Sequence, residues 1–174
     1  MDNIVTNADF KGRYSLAISD IGEENFNDFI TDEQYDLLLN IIGESLYNTY
    51  NAAPTTTAWV NLRDGVTGYT DACGYVRNWR GLKYLLVPYI YSKWVDCNAL
   101  KQVQNGTVKP KYENSEAASE FGRSDLKYVA WNDFVNRLAE CYDYLEAYES
   151  TYTDFEDYFK FEKTKGIVTK RSIE

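Results

Sequence analysis

The chain has 174 residues, a net charge of −9, 44% hydrophobic and 26% charged side chains, 16 tyrosines and no histidine. That length implies one domain of ordinary size, able to enclose a core without disulfide or metal staples. The lack of histidine argues against Ser-His-Asp and Cys-His nucleophile systems and most zinc sites. The acidic balance argues against a protein that wraps DNA, since phosphate binding relies on Lys and Arg displacing counterions.

Residues 1–22 hold Gly12 and Gly22 with "YSLAIS" between them, which reads as an N-terminal arm. The segment is acidic at residue 2 and has no long apolar run, so it is not expected to be a signal peptide. A helical domain is expected over 23–150. In "NFNDFITDEQYDLLLNIIGESLYNTY", Thr31 and Gln34 form a capping-box pattern, and Asp32 and Glu33 add negative charge at the expected helix start. Tyr35, Leu38, Leu39, Ile42, Leu46 and Tyr50 follow at helical spacing, widened by Leu37 and Ile41. Gly43 is a point where the helix can bend, and Pro54 ends it.

"TTTAWVNLRDG" opens a short second helix carrying Trp59 and Leu62. Gly65, Gly68 and Gly74 then predict a loop, "GVTGYTDACGY". A third helix is expected over "NWRGLKYLLVPYIYSKWVDC", with Trp79, Leu82, Leu86 and Tyr89 on one face. Charges interrupt it too often for a membrane span, which needs about 20 mostly apolar residues. Pro88 has no N–H and crowds the carbonyl of Tyr84, so a kink is expected there. Apolar residues cover so much of this helix that a four-helix domain is not expected to bury every side. Tyr84 and Tyr91 are therefore candidate partner contacts.

Residues 98–123 change character. Asn105-Gly106 is a type I′ hairpin signal, and Pro110 suits an edge strand. Lys101, Lys109, Lys111 and Tyr112 make this β-hairpin-like arm, about 101–113, a locally basic candidate contact. The fourth helix, "SDLKYVAWNDFVNRLAECYDYLEAYES", has Ser124 or Asp125 as cap and a stripe of Leu126, Ala130, Phe134, Leu138, Cys141, Leu145 and Tyr148. Residues 151–174 form an extended C-terminal tail in which Tyr152, Phe155, Tyr158, Phe159 and Phe161 stand among acids. Aromatic side chains beyond a domain core point to a partner. The fold expected is all-α, a small bundle of about four helices with that arm and tail.

Little in the chain suggests chemistry. Cys73, Cys97 and Cys141 are odd in number and widely spaced, with no CxxC pair, which favours reduced thiols in a protein folded in the cytosol. Glu23 with Glu24, Asp32 with Glu33, and Glu113 with Glu116 are the candidates for paired carboxylates, but helix-start or solvated positions explain them far better. The glycine-rich "GVTGYTDACG" lacks the Lys-Ser/Thr of a phosphate-binding loop. No catalytic residue, cofactor or metal is expected.

The order of signals, above all "IIGESLYNTY", "WRGLKYLLVPYIY" and "ENSEAASE" followed by "WND", resembles the head–tail connector (adaptor) proteins of tailed bacteriophages, as in crAss-like and other Bacteroidetes phages. The resemblance covers about residues 25 to 150. It implies a structural virion protein, assembled in the host cytoplasm and built into the neck below the portal. It implies a ring, usually of twelve copies, contacting the portal and other neck or tail proteins, with DNA passing through as cargo and no membrane involved. The middle loop is longer than a minimal connector needs, so the resemblance does not assign which arm meets which partner. The rival from another class is an aromatic-rich carbohydrate- or peptide-binding module; a third option is a glycosidase-type enzyme built on Glu113 and Glu116.

Overall fold

The computed structural model describes residues 3–16, 23–97, 101–103, 106–108 and 120–152. The order of elements is α1 (Glu23–Ala52), α2 (Thr57–Asp64), β1 (Val66–Thr70), β2 (Val76–Trp79), α3 (Leu82–Cys97), β3 (Lys101–Val103), β4 (Gly106–Val108) and α4 (Glu120–Ala147). Ahead of them, short 3-10 turns span Asn7–Asp9 and Gly12–Tyr14. Among the described residues the protein is mainly helical with four helices, as its periodicities require, and it carries two small antiparallel hairpins.

The capping box at Thr31 is not where α1 begins. The helix starts at Glu23, and Thr31 lies inside it, its hydroxyl donating to the Asn27 carbonyl at 2.9 Å. Thr31 and Gln34 are used by the N-terminal segment instead. Asn3 Nδ2 donates to Thr31 Oγ1 at 2.8 Å, and the buried Gln34 Oε1 accepts from Ile4 N–H at 2.8 Å and Val5 N–H at 3.1 Å. Those two amides would otherwise be left unsatisfied in a dry region, which costs about 1–3 kcal/mol per group. Gly43 interrupts α1 with φ 77° and ψ 160°, a conformation L-residues avoid, so the bend expected there is present.

The 65–76 stretch is not a loop. Val66 pairs with Trp79, Tyr69 with Arg77 and Thr70 with Val76, with a bulge between Val66 and Tyr69. Trp79 therefore belongs to β2, and α3 starts later than the helical pattern suggested, at Leu82. Two glycines make the junction possible. A Cβ on Gly65 would lie 2.5 Å from the Trp79 carbonyl oxygen, and one on Gly81 would lie 2.5 Å from that of Arg63. Both have positive φ, so the end of α2 and the start of α3 meet backbone to backbone. Trp79 Nε1 completes the joint by donating to the Leu62 carbonyl at 2.8 Å.

α3 is the centre of the molecule, paired chiefly with α4. Leu82, Leu85, Leu86 and Ile90 are fully enclosed, and Val87, Tyr89, Tyr91 and Trp94 are nearly so. Each such aliphatic side chain contributes about 1.5–3 kcal/mol relative to exposure. The expected surplus on α3 is thus covered within one chain. The covering element is the N-terminal segment: Val5, Phe10 and Tyr14 are buried, Phe10 meets Phe26 edge-on at 5.0 Å, Phe26 meets Trp94 at 4.6 Å, and Tyr14 meets Tyr91 at 5.4 Å. The first residues are part of the core rather than an outlying arm.

Pro88 sits within α3, and the helix continues across it. The Tyr84 carbonyl loses its i+4 donor and accepts instead from Arg137 Nη1 of α4 at 2.6 Å. The Arg137 guanidinium also lies 3.8 Å from the centre of the Tyr84 ring and donates to Tyr14 Oη at 3.3 Å. Tyr14 Oη donates in turn to Asp133, which Arg13 engages at 2.7 Å. Burial, then the Asp133 carboxylate, pushes the Tyr14 phenol up to about 12, so it remains a donor across the physiological range.

α4 starts at Glu120, ahead of the expected caps Ser124 and Asp125, which fall inside it. Ala130, Phe134, Leu138, Cys141 and Leu145 of the expected stripe are buried, while its ends, Leu126 and Tyr148, are exposed. The 101–113 arm is present in part. Lys101 pairs with Val108, Gln102 with Thr107 and Val103 with Gly106, which puts Gly106 in the strand rather than in the turn. Residues 109–113 lie outside the described residues.

Two outcomes follow. Arg137→Met is expected to cost about 3 kcal/mol in urea unfolding, because the Tyr84 carbonyl and Tyr14 lose their donor. In a Pro88→Ala background, where residue 88 regains an N–H, the same change is expected to cost about 1 kcal/mol less. Equal losses in both backgrounds would refute the pairing. Gly81→Ala is expected to lower the thermal midpoint through the clash with the Arg63 carbonyl, whereas Gly12→Ala, with nothing within 4 Å, adds only the strain of its φ of 61°.

Candidate functional site

The residues singled out from the sequence separate into three groups. Tyr91 and Tyr152 are core residues, 5% and 1% exposed, and are not available as surface contacts. Tyr152 Oη donates to the Ala58 carbonyl of α2 at 2.9 Å and lies among Tyr50 and Tyr144. Burial, followed by the Tyr144 hydroxyl, raises its phenol well beyond the ordinary range. Tyr84 is half-buried between two guanidiniums, Arg137 at 3.8 Å and Arg80 at 4.7 Å.

Lys101 lies in β3. Lys109, Lys111, Tyr112, Phe155, Tyr158, Phe159 and Phe161 lie outside the described residues, as do Glu113 and Glu116.

The surface carries two apolar patches that the sequence reading passed over. The first is the tip of the β1–β2 hairpin, where Tyr75 is 66% and Val76 74% exposed. Asp71 builds this tip. Its Oδ1 accepts from Cys73 N–H at 3.0 Å and Tyr75 N–H at 2.8 Å, its Oδ2 takes Arg77 Nε, and its own N–H donates to the Tyr75 carbonyl at 2.9 Å. The Tyr75 N–H above all, with Arg77 and the Cys73 N–H, holds this carboxyl below the usual carboxylate range. Asp at the first turn position and Gly74 at the fourth is a type I turn signal, and it could have revealed the hairpin. Three nearby glycines obscured it.

The second patch is on the first half of α4, where Leu126 and Val129 are each 49% exposed. Leu126 and Val129 are helical neighbours, three residues apart. The hairpin is fixed to the other half of α4: Tyr69 packs on Tyr144 at 5.2 Å, Trp79 stacks on Tyr144, and Arg77 reaches Asp143 at 3.7 Å. At 1.5 Å per residue, Val129 and the Asp143 that holds the hairpin are about 20 Å apart along α4.

A cleft of about 660 Å³ opens elsewhere, between the N-terminal segment, α2 and the start of α3. Ile4, Pro54 and Trp59 supply apolar walls, and Arg63, Arg80 and Lys83 line it with positive charge. Arg63 is held by Asp64 through two contacts of 2.7 Å, and Lys83 by Asp9 at 3.0 Å. Arg80 donates to Tyr84 Oη at 2.8 Å and has no carboxylate partner among the described residues. A cationic concavity is unexpected on a chain of net charge −9.

Among the described residues no cluster of His, Cys, Asp and Glu could hold a metal ion, and no helix is long and apolar enough to cross a membrane. Cys73 and Cys97 are exposed, and Cys141 is enclosed, which pushes its thiol up and out of reach of ionisation.

A central helix jacketed by an N-terminal segment, three other helices and a hairpin defines this class of mainly helical domain. Residues 21–164 match the model of a family of unknown function, DUF6712, and the chain belongs to that family. No curated protein and no solved structure matches it.

The depressed Asp71 carboxyl gives a pH expectation. Its contribution is complete above its ordinary value of 3.8 and is lost as pH falls through that value towards the lower folded one. The protection of the Cys73 and Tyr75 amides relative to their intrinsic exchange rates should therefore fall on acidification in that window, and Asp71→Asn should abolish that change in protection.

Proposed function

We propose that this protein is a structural virion component that forms a ring in the head–tail neck below the portal, with DNA passing through its centre. The observation that carries the reading is a pair of unlike apolar patches, one on the hairpin tip and one on the first half of α4. A ring is a heterologous contact that closes on itself, so each copy needs two different surfaces, one for each neighbour. Tyr75 and Val76 on the hairpin tip, and Leu126 and Val129 on α4, supply two such surfaces. Exposed large apolar side chains grouped in this way suit protein contact better than solvent.

The net charge of −9 fits a wall past which DNA slides, since like charges keep it from sticking. The ring resemblance of the sequence supports the same reading. It no longer draws on α3, whose apolar sides are covered by the chain itself. An aromatic binding platform is less well supported, because Trp59, Trp79 and Trp94 are all enclosed.

Native mass spectrometry of the full chain, alone and with its portal, tests this. Wild type should form a closed high-order oligomer. Tyr75→Glu with Val76→Glu, and separately Leu126→Glu with Val129→Glu, should each stop assembly while leaving the helical circular dichroism unchanged. An equimolar mixture of the two variants should give heterodimers, because one intact contact survives between them. A wild-type chain that stays monomeric alone and with the portal would end the reading.

A further inference from the structure

We infer that the cationic cleft is the docking site for an acidic, aromatic segment of this same chain, residues 154–162, folding back onto its own domain. The inference does not depend on the ring.

The cleft combines apolar walls from Pro54 and Trp59 with charge from Arg63, Arg80 and Lys83. Asp64 offsets Arg63 and Asp9 offsets Lys83, which leaves the Arg80 charge uncompensated among the described residues. A fitting occupant would alternate carboxylates with aromatic rings. Such a segment occurs in the chain as "DFEDYFKFE", Asp154 to Glu162, where Asp154, Glu156, Asp157 and Glu162 are interleaved with Phe155, Tyr158, Phe159 and Phe161.

Position favours the chain's own copy. The described body ends at Tyr152, whose hydroxyl is fixed to the Ala58 carbonyl at 2.9 Å. Ala58 immediately precedes Trp59, a wall of the cleft. Tyr50 links the two, stacking on Trp59 at 5.1 Å and meeting Tyr152 at 6.4 Å. The described body thus ends on a residue whose side chain touches α2 beside the cleft, and an extended chain gains about 3.3 Å per residue, so a short run beyond Tyr152 suffices to bring the segment to it. A tether that short gives the segment a local concentration on the order of millimolar. Weak contacts between exposed charges then suffice for occupancy, and the contact should weaken with salt.

The test is limited trypsin cleavage at Lys160 in the full-length protein. Docking should slow cleavage there, and Arg80→Glu with Lys83→Glu should accelerate it about tenfold if cleavage follows the undocked population. Cleavage at Lys165, outside the segment, serves as reference. Because the body variant could disturb folding, Glu156→Gln with Asp157→Asn is run in parallel. It leaves the described body untouched and should give the same acceleration. Added salt should mimic both variants. Equal cleavage in wild type and both variants would overturn the inference. Protection that grows over about a hundredfold range of protein concentration would also overturn it, because the segment would then come from a second copy.

Discussion

A single carbonyl oxygen organises the centre of this molecule. Pro88 cannot donate to the Tyr84 carbonyl, and a freed carbonyl inside a packed helix is costly unless another donor replaces the lost one. Arg137 does so from the facing helix, at 2.6 Å. Bringing a guanidinium into the interior then creates further demands, since a buried cation needs partners on all sides. The Tyr84 ring, the Tyr14 hydroxyl and Asp133 supply them. In this way one proline on α3 dictates the pairing with α4 and the seat of the N-terminal segment.

The same constraint explains why the chain encloses so many aromatic rings. With α3 in the middle, its sides need four coverings: α1, α4, the α2–hairpin unit and residues 3–16. Edge-on ring pairs line the seam between the N-terminal segment, α1 and α3. Rings meeting edge to face contribute about 0.5–1.5 kcal/mol beyond the area they bury. The tyrosine enrichment, which first suggests interfaces, is in good part a feature of this interior. Among the described residues, what is left for partners is smaller and more local: a hairpin tip held by Asp71, two side chains on α4, and a cleft whose charge opposes that of the whole chain.

Much of the fold was legible in the amino-acid order. Helical periodicity marked all four helices, Gly43 marked the break in α1, and Asn105-Gly106 marked the small hairpin, because each of these is a local preference of the backbone. The candidate site was far less legible. Tyr91 and Tyr152 looked like surface residues only because nothing local reveals what packs over them. Arg137 did leave a trace, a cation set in the stripe between Phe134 and Leu138, and Pro88 implied an unsatisfied carbonyl somewhere on α3. Neither trace named the other residue.

Sequence by itself determined the helices, their bends and the absence of histidine chemistry, since these depend on spacing and residue type along a few turns. Only the tertiary structure decided that residues 3–16 pack onto the core, that Thr31 and Gln34 hold that segment instead of starting a helix, and that a glycine-rich run closes into a hairpin. Each of those outcomes depends on a hydrogen-bond partner or a close backbone approach from a distant part of the chain. A residue can state that it needs such a partner, but which one answers is settled when the elements pack.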